Sequence, residues 1–205
     1  MMDFFHPFMP EFLEVYCGPM KSGKTRELIN RVDQLDQLPQ NAMFFKPSTD
    51  TRNTVVHSRY FNGTKEIPCK LIDREKPYEI RDYLPEVDVV VIDEAQFFVK
   101  DLVDVVEGLL RIKKNVIIGG LDLDFRGEPF GPMPYLIAKA NIVRKLRGVC
   151  EYQEDKVRCN KSSTRTQRLI SGVPARYDSP IVVVEGEGVE TYETRCFEHH
   201  FVPRN

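Results

Sequence analysis

The stretch "CGPMKSGKTRELI", residues 17–29, decides the fold. Within it Gly18, Pro19, Met20, Lys21, Ser22, Gly23, Lys24 and Thr25 satisfy G-x-x-x-x-G-K-[ST], the loop that cradles nucleotide phosphates. The flanks matter as much as the pattern. Immediately before it, "FLEVYC" (Phe12 to Cys17) is apolar and aromatic enough for a strand. After it, Leu28, Val32 and Leu35 recur at helical spacing. A strand, a glycine-lysine turn and a helix together let backbone N–H groups point inward, with the positive helix end facing the phosphates. Lys24 then reaches the β- and γ-phosphates, and the Thr25 hydroxyl is placed to ligate Mg²⁺. A glycine-rich turn with a solvated lysine is the bland alternative, and it leaves both flanks unexplained. ATP or GTP binds here; the acceptor stays open.

Working outward, "AMFFK" (Ala42 to Lys46) reads as a second strand, and the polar run from Pro47 to about Pro68 as a loop or hairpin. "VDVVVID" (Val87 to Asp93) is a β-branched run suited to a strand covered on both faces. The pattern predicts a helix from about Lys100 to Lys113, a second buried strand from Asn115 to Asp122, and a last core strand from Ala140 to Cys150. Strands alternating with helices make an α/β protein with a parallel sheet and helices on both faces. After residue 150 the chain turns to short, polar, cysteine-containing pieces. The expected division is an ATP-binding core over 1–149, with 1–11 as an N-terminal arm, and a smaller unit over 150–205.

The chain has 205 residues, 41% of them hydrophobic and 29% charged, ordinary values for a soluble domain. A net charge of −2 with no long basic run argues against a polymerase or helicase with a large nucleic-acid footprint. "MMDFFHPFMP" is apolar but carries Asp3, two prolines and no positive segment, so it reads as an arm packed on the body or on a neighbouring subunit rather than a signal peptide. No stretch approaches the ~20 apolar residues that span a bilayer. Five cysteines without an export signal point to a reducing compartment. Cys17 and Cys69, in apolar strand-like surroundings, read as packing residues.

Three further features carry chemistry. "VVVIDEAQFF" ends a buried strand in Asp93 and Glu94, and open α/β sheets bind ligands beyond the carboxyl ends of their strands. Asp93 is the natural partner of Mg²⁺, and Glu94 a general base for a hydroxyl or water. Both acids capping the next helix is the alternative. A helicase reading of D-E-x-Q fails on length, since only ~55 residues follow position 150 and a second lobe needs more. "GLDLDFRGEPFGPMPYL" (Gly120 to Leu136) sets Phe125, Phe130, Met133 and Tyr135 among Gly127, Gly131 and prolines. With Met20 and Phe97 it can wall a flat nucleobase, or it is simply core. Late in the chain, Cys150, Cys159, Cys196 and His199 offer four soft ligands suited to tetrahedral Zn²⁺. Cys196-x-x-His199 has the spacing of a zinc knuckle. The Cys150–Cys159 interval, "EYQEDKVR", is wider than the usual two to four residues. His200 is an alternative to His199, and unrelated reduced cysteines remain the bland reading.

In order along the chain, "GPMKSGKT", "DTR", "DEAQFF", "LDLDFRGEPFGPMP", "TRTQRLI" and "YETRCFEHH" resemble the type II thymidine kinase family, over about residues 12 to 203. The resemblance implies a RecA-like P-loop NTPase sheet with a small C-terminal zinc-binding lasso domain. It implies a cytoplasmic, ATP-dependent deoxynucleoside kinase that phosphorylates the 5′-hydroxyl of thymidine, or deoxyuridine, to give dTMP. It makes Glu94 the base, gives Mg²⁺ to Thr25 and Asp93, and sets Asp93, Glu94, Ala95 and Gln96 beside the loop on the phosphate side. Met20, Phe97, Leu121, Phe125 and Phe130 match the thymine pocket. Arg52 matches an arginine near the reacting groups, with Asp50 beside it. Tyr192 closes over the nucleoside, Val184 lies in the lasso (Ile181 to Glu190) whose backbone reads the base edge, and Thr166 and Arg168 support it. The zinc set carries over as Cys150, Cys159, Cys196 and His199. A homotetramer, feedback inhibition by dTTP, and no nucleic-acid or membrane partner are implied as well. Relatives have two residues between the first cysteine pair, and "VHSRYFNG" (Val56 to Gly63) departs from the usual sequence there. Two other classes compete: a regulatory P-loop ATPase or GTPase with water as acceptor, and a zinc-ribbon adaptor for nucleic acid, which the near-neutral charge disfavours.

Overall fold

The computed structural model describes residues 11–35, 41–48, 55–56, 67–181 and 190–204. Its core is a seven-stranded sheet. In chain order the strands are β1 (Leu13–Cys17), β2 (Ala42–Pro47), β3 (Val55–Val56), β4 (Ile67–Ile72), β5 (Val89–Ile92), β6 (Asn115–Gly120) and β7 (Ile142–Lys145). Across the sheet they run β3-β4-β2-β5-β6-β1-β7. Every pairing is parallel except β3 with β4. The polar run read as a loop or hairpin holds an antiparallel pairing, Val55 opposite Pro68, and β4 continues past it to pair in parallel with β2.

Strand alternation explains why these segments are apolar throughout. On one face Val15, Phe45, Val90, Ile92 and Ile118 pack with Leu102, Val106 and Leu109 of α2 (Leu102–Arg111) and Met133 and Leu136 of α3 (Met133–Lys139). On the other, Tyr16, Phe44, Val89, Val91 and Ile117 meet Leu28, Ile29 and Val32 of α1 (Lys24–Leu35). Both faces are buried, so neither set can be polar. Cys17 joins the first cluster and Cys69 the second, as packing residues. One exception stands on the α1 face: Glu14, 1% exposed, accepts a 2.8 Å bond from Arg31 Nε.

The expected last core strand is shorter than Ala140–Cys150. Only Ile142–Lys145 pairs with β1. Leu146 N–H makes the last ladder bond, to the Cys17 carbonyl, where β1 ends and turns at Gly18; with no partner strand beyond it, the chain leaves the sheet and β8 (Gly148–Val149) pairs with β11 (Ser162–Ser163) instead. Beyond it come a short hairpin, β9 (Gln153–Glu154) with β10 (Val157–Arg158), and an antiparallel sheet of β13 (Val173–Pro174), β12 (Arg165–Ile170) and β14 (Glu190–Arg195). Among the described residues no helix is long and apolar enough to cross a membrane.

Candidate active site

Parallel strands β5, β6 and β1 are neighbours, so their carboxyl ends deliver the phosphate loop, the Asp93–Glu94 turn and the Leu121–Phe130 segment to one edge of the sheet. The loop is shaped by Gly18 (φ 142°) and Gly23 (φ 89°). A Cβ on Gly18 would lie 2.4 Å from the Leu146 carbonyl oxygen, so only glycine lets β1 turn there. Lys24 donates to the carbonyls of Gly18 (3.2 Å) and Pro19 (2.8 Å). Its burial lowers the ammonium's pKa, against the pull of Glu94, Asp93 and Asp122.

Thr25 Oγ1 donates to Asp93 Oδ2 at 3.0 Å, and Glu94 N–H donates to Asp93 Oδ1 at 3.0 Å. Asp93 is 1% exposed; burial first, and Glu94 second, push its pKa up to about 6. A carboxylate so costly to ionise, bonded to a phosphate-loop hydroxyl, fits a bound cation such as Mg²⁺. Glu94 itself takes a left-handed backbone (φ 55°), a conformation rare outside glycine and concentrated at functional turns. Gln96 Nε2 donates to Glu94 Oε2 at 2.6 Å, while Gln96 Oε1 accepts Leu121 N–H at 2.9 Å. One buried amide thus fixes the acid at the end of β5 to the start of the aromatic loop. Gly131 makes the fit possible, because a Cβ there would stand 2.2 Å from the Gln96 carbonyl oxygen.

In the aromatic loop Phe97 and Phe130 meet edge to face, centroids 5.6 Å apart, and the Arg168 guanidinium lies 5.4 Å from the Phe125 ring. Leu121, Phe125 and Phe130 are buried. Asp124 holds the loop's turn, accepting the N–H groups of Arg126 (2.8 Å) and Glu128 (3.1 Å) and the Arg126 guanidinium.

The C-terminal pieces dock onto the phosphate loop. Met20 N–H donates to Thr166 Oγ1 at 3.1 Å, and Lys21 Nζ reaches both carboxylate oxygens of Glu151 at 2.9 and 3.0 Å. Arg168, 1% exposed, stands opposite Tyr192 in the sheet and binds both the Pro180 carbonyl and the Glu190 carboxylate. It therefore ties together the two ends of the 181–190 segment. Val184 within that segment, and Asp50 and Arg52, lie outside the described residues.

The sulfur atoms of Cys150, Cys159 and Cys196 and a ring nitrogen of His199 all lie within 4.8 Å of one another. The wide first interval is explained by the β9–β10 hairpin, whose left-handed Asp155 (φ 48°) and Lys156 (φ 65°) reverse the chain in two residues. Cys159 N–H then bonds the Tyr152 carbonyl at 2.9 Å, which returns Cys159 to Cys150. Burial acts to raise the Cys150 thiol, but backbone N–H groups of Cys196 and Tyr152 and the His199 ring outweigh it, bringing it down to about 7. Tyr152 stacks on His199 with centroids 4.1 Å apart. Three thiols and an imidazole are the donor set of a closed structural zinc site, and these residues fit it. His200 is not part of it. Its Nε2 is 2.8 Å from the Phe125 carbonyl oxygen, so it braces the aromatic loop instead.

Two residues at the site escaped the motif reading. Asp93 N–H bonds the Phe45 carbonyl, so Lys46 falls beside Asp93, on the face that carries Phe44 and Val91, and its charge lowers the Asp93 pKa. Counting two positions on from Phe44 along an alternating strand would have found it. Asp122, at the end of β6, pairs with Lys145 at 2.7 Å and acts on Lys24. It obeys the same strand-end rule that singled out Asp93.

A family model described as "Thymidine kinase" matches residues 11–200. The chain is 45% identical over 190 residues to a thymidine kinase of Onion yellows phytoplasma, covering 92% of this chain and 86% of that one. It is 46% identical over 192 residues to the thymidine kinase of Coprothermobacter proteolyticus, covering 94% and 91%. A third, from Aster yellows witches'-broom phytoplasma, is 43% identical over 92% of this chain and 86% of its own. Among solved structures, domain III of the Thermotoga maritima replication initiation protein DnaA overlays with a TM-score of 0.39 and 14% identity, over 65% of this chain and 54% of that one. Phosphate loop, acidic turn, aromatic loop and cysteine cluster all fall inside the matched span, and the chain belongs to the thymidine kinase family.

Proposed function

We propose that the protein transfers the γ-phosphoryl group of ATP to the 5′-hydroxyl of thymidine, or of deoxyuridine, giving dTMP for nucleotide salvage. The observation that carries this reading is the Gln96 amide, which bonds a carboxylate at the phosphate loop's edge and the backbone of an aromatic loop at once. A base and a nucleobase wall are thereby set in fixed relation. Relatives named thymidine kinase, similar over nearly the whole chain, support the same acceptor.

In the proposed mechanism the loop's N–H groups and Lys24 hold the β- and γ-phosphates. Thr25 and Asp93 hold Mg²⁺, whose charge offsets that of the phosphates. Phe97, Leu121, Phe125 and Phe130, with Met20, wall the thymine. Thr166 and Arg168 support the 181–190 lasso, whose backbone groups, Val184 among them, read the base edge, and Tyr192 closes over the nucleoside. Glu94 accepts the proton of the 5′-hydroxyl; the oxygen bonds to the γ-phosphorus as the bond to the β,γ-bridging oxygen breaks, and ADP leaves. Arg52, with Asp50 beside it, adds charge near the reacting groups. Excluding water under the lasso keeps ATP from being hydrolysed instead. Residues 1–149 form the ATP-binding unit, and 150–205 the unit that carries zinc and lasso. A cytoplasmic homotetramer under dTTP feedback, with no nucleic-acid partner, completes the reading.

The test is an acceptor panel. Purified protein with Mg²⁺ and ATP is offered thymidine, deoxyuridine and deoxycytidine in turn, and nucleoside monophosphates are measured. Thymidine and deoxyuridine are expected to be phosphorylated. ATP consumption that is the same with and without every nucleoside would assign the site to a hydrolytic ATPase.

A further inference from the structure

Residues 199–204 belong to no helix or strand, yet bonds hold them along their length. His199 starts the run as a member of the cysteine cluster. His200 Nε2 donates to the Phe125 carbonyl at 2.8 Å. Phe201 is held through its backbone: its N–H donates to Gln167 Oε1 and its carbonyl accepts from Gln167 Nε2, each at 2.9 Å. The Pro203 carbonyl accepts the Tyr177 N–H at 3.0 Å. The Arg204 guanidinium stands 4.3 Å from the centre of the Tyr177 ring and 3.6 Å from Glu128 Oε1.

This strap grips one turn of the aromatic loop. Asp124 N–H bonds the Glu128 carbonyl at 2.8 Å, and Gly127 N–H bonds the Asp124 carbonyl at 3.0 Å. The Phe125 carbonyl takes no part in either bond, and His200 supplies its donor. Gly127 packs so near that a Cβ added to it would lie 3.5 Å from His200 Cε1. At the far end of the turn, Glu128 is held by Arg204 and by the Tyr177 hydroxyl, which donates to it at 3.3 Å. Both ends of the turn that carries Phe125 are therefore fixed by chain that follows a metal ligand. Consecutive Cα atoms lie about 3.8 Å apart, so the place of His199 decides where the His200 ring can reach.

We propose that His200 is a positioning residue for nucleoside binding, and that the strap 199–204 couples metal occupancy to the aromatic wall. Zinc held by Cys150, Cys159, Cys196 and His199 sets the start of the strap, His200 sets the Phe125 backbone, and Phe125 walls the thymine. The phosphate side is spared, because Lys24, Thr25 and Asp93 are held by other bonds. The inference rests on the acceptor half of the proposed function.

The experiment measures thymidine binding to the zinc-loaded protein by calorimetry, and separately the binding of a non-hydrolysable ATP analogue. The proteins compared are the parent, His200→Leu, His200→Gln and a chain ending at Val202. His200→Leu is expected to raise the thymidine Kd about tenfold while the Kd of the analogue stays within about twofold. His200→Gln, whose amide still donates, should recover part of that loss, and the shortened chain should lose about threefold. Zinc content is determined for each; if His200→Leu sheds metal, the shortened chain, which keeps both histidines, decides. Chelating the zinc should then weaken thymidine binding by a smaller factor in His200→Leu than in the parent, because the two changes act through one path. A thymidine Kd within about twofold of the parent's in both His200→Leu and the shortened chain overturns the proposal. So does an equal loss of thymidine and analogue binding, and equal factors on chelation overturn the link to the metal. A parent that binds the analogue but no thymidine fails the proposed function itself, a result distinct from these.

Discussion

Glu94 is the residue on which the proposed chemistry turns. Its left-handed backbone and its bond from Gln96 hold the carboxylate at the sheet edge rather than in the helical turn that follows. Glu94→Gln is expected to leave ATP affinity within about twofold while kcat falls by roughly 10²–10⁴, the range for loss of a general base. Near-normal turnover would remove it from that role. The cysteines divide by environment in a way a thiol reagent can read. Burial, reinforced by Asp122, pushes the Cys17 thiol up to about 11, so at pH 8 it stays protonated and unreactive. The metal-loaded protein is expected to hold about one zinc per chain. Chelation should release Cys150, Cys159 and Cys196 to the reagent, with Cys17 and Cys69 reacting only on unfolding. Full thiol protection after chelation would contradict the ligand assignment.

At the scale of elements, α1 and β1 are joined by more than apolar contact. Glu14 and Arg31 form a buried pair inside an otherwise apolar interface. Glu14→Leu, which leaves the guanidinium without its carboxylate, is expected to cost about 3–5 kcal/mol in denaturant unfolding. The double variant Glu14→Leu/Arg31→Met should recover most of that, and no recovery would show that the pair itself is stabilising. In the C-terminal sheet, Arg168 gathers the ends of the 181–190 segment. Arg168→Met should raise the thymidine KM about tenfold with little change in ATP affinity, if the segment serves the nucleoside. An equal loss of ATP affinity would mark a general collapse instead, and Arg168→Lys provides the milder check.

The six parallel strands show which parts of the whole molecule were legible. β1, β2, β5 and β6 announced themselves as apolar runs because both of their faces are covered, and the phosphate loop because its turn requires glycine at two positions. β4 showed only in the strand-like surroundings of Cys69, since its alternating residues Pro68 and Lys70 are exposed. β7 was overextended, because nothing in "LRG" advertises that its partner β1 ends at Cys17 and leaves it without a ladder beyond Leu146. The cysteine cluster was legible by residue type, and the closure of its wide interval was not, since that depends on two left-handed residues, Asp155 and Lys156, that carry side chains. Contacts between distant segments were the least legible. Lys21 with Glu151 and Met20 with Thr166 bind the phosphate loop to pieces more than a hundred positions away, and no local pattern encodes them.

Those contacts tie the phosphate loop to the C-terminal pieces, as the proposed transfer between donor and nucleoside requires. The most direct measurement follows the phosphoryl group itself. ATP labelled in its γ-phosphate is incubated with the protein, Mg²⁺ and thymidine, and the products are separated. The account predicts label in dTMP, in step with ADP and dependent on thymidine. Label appearing only as inorganic phosphate, at a rate indifferent to thymidine, would contradict it.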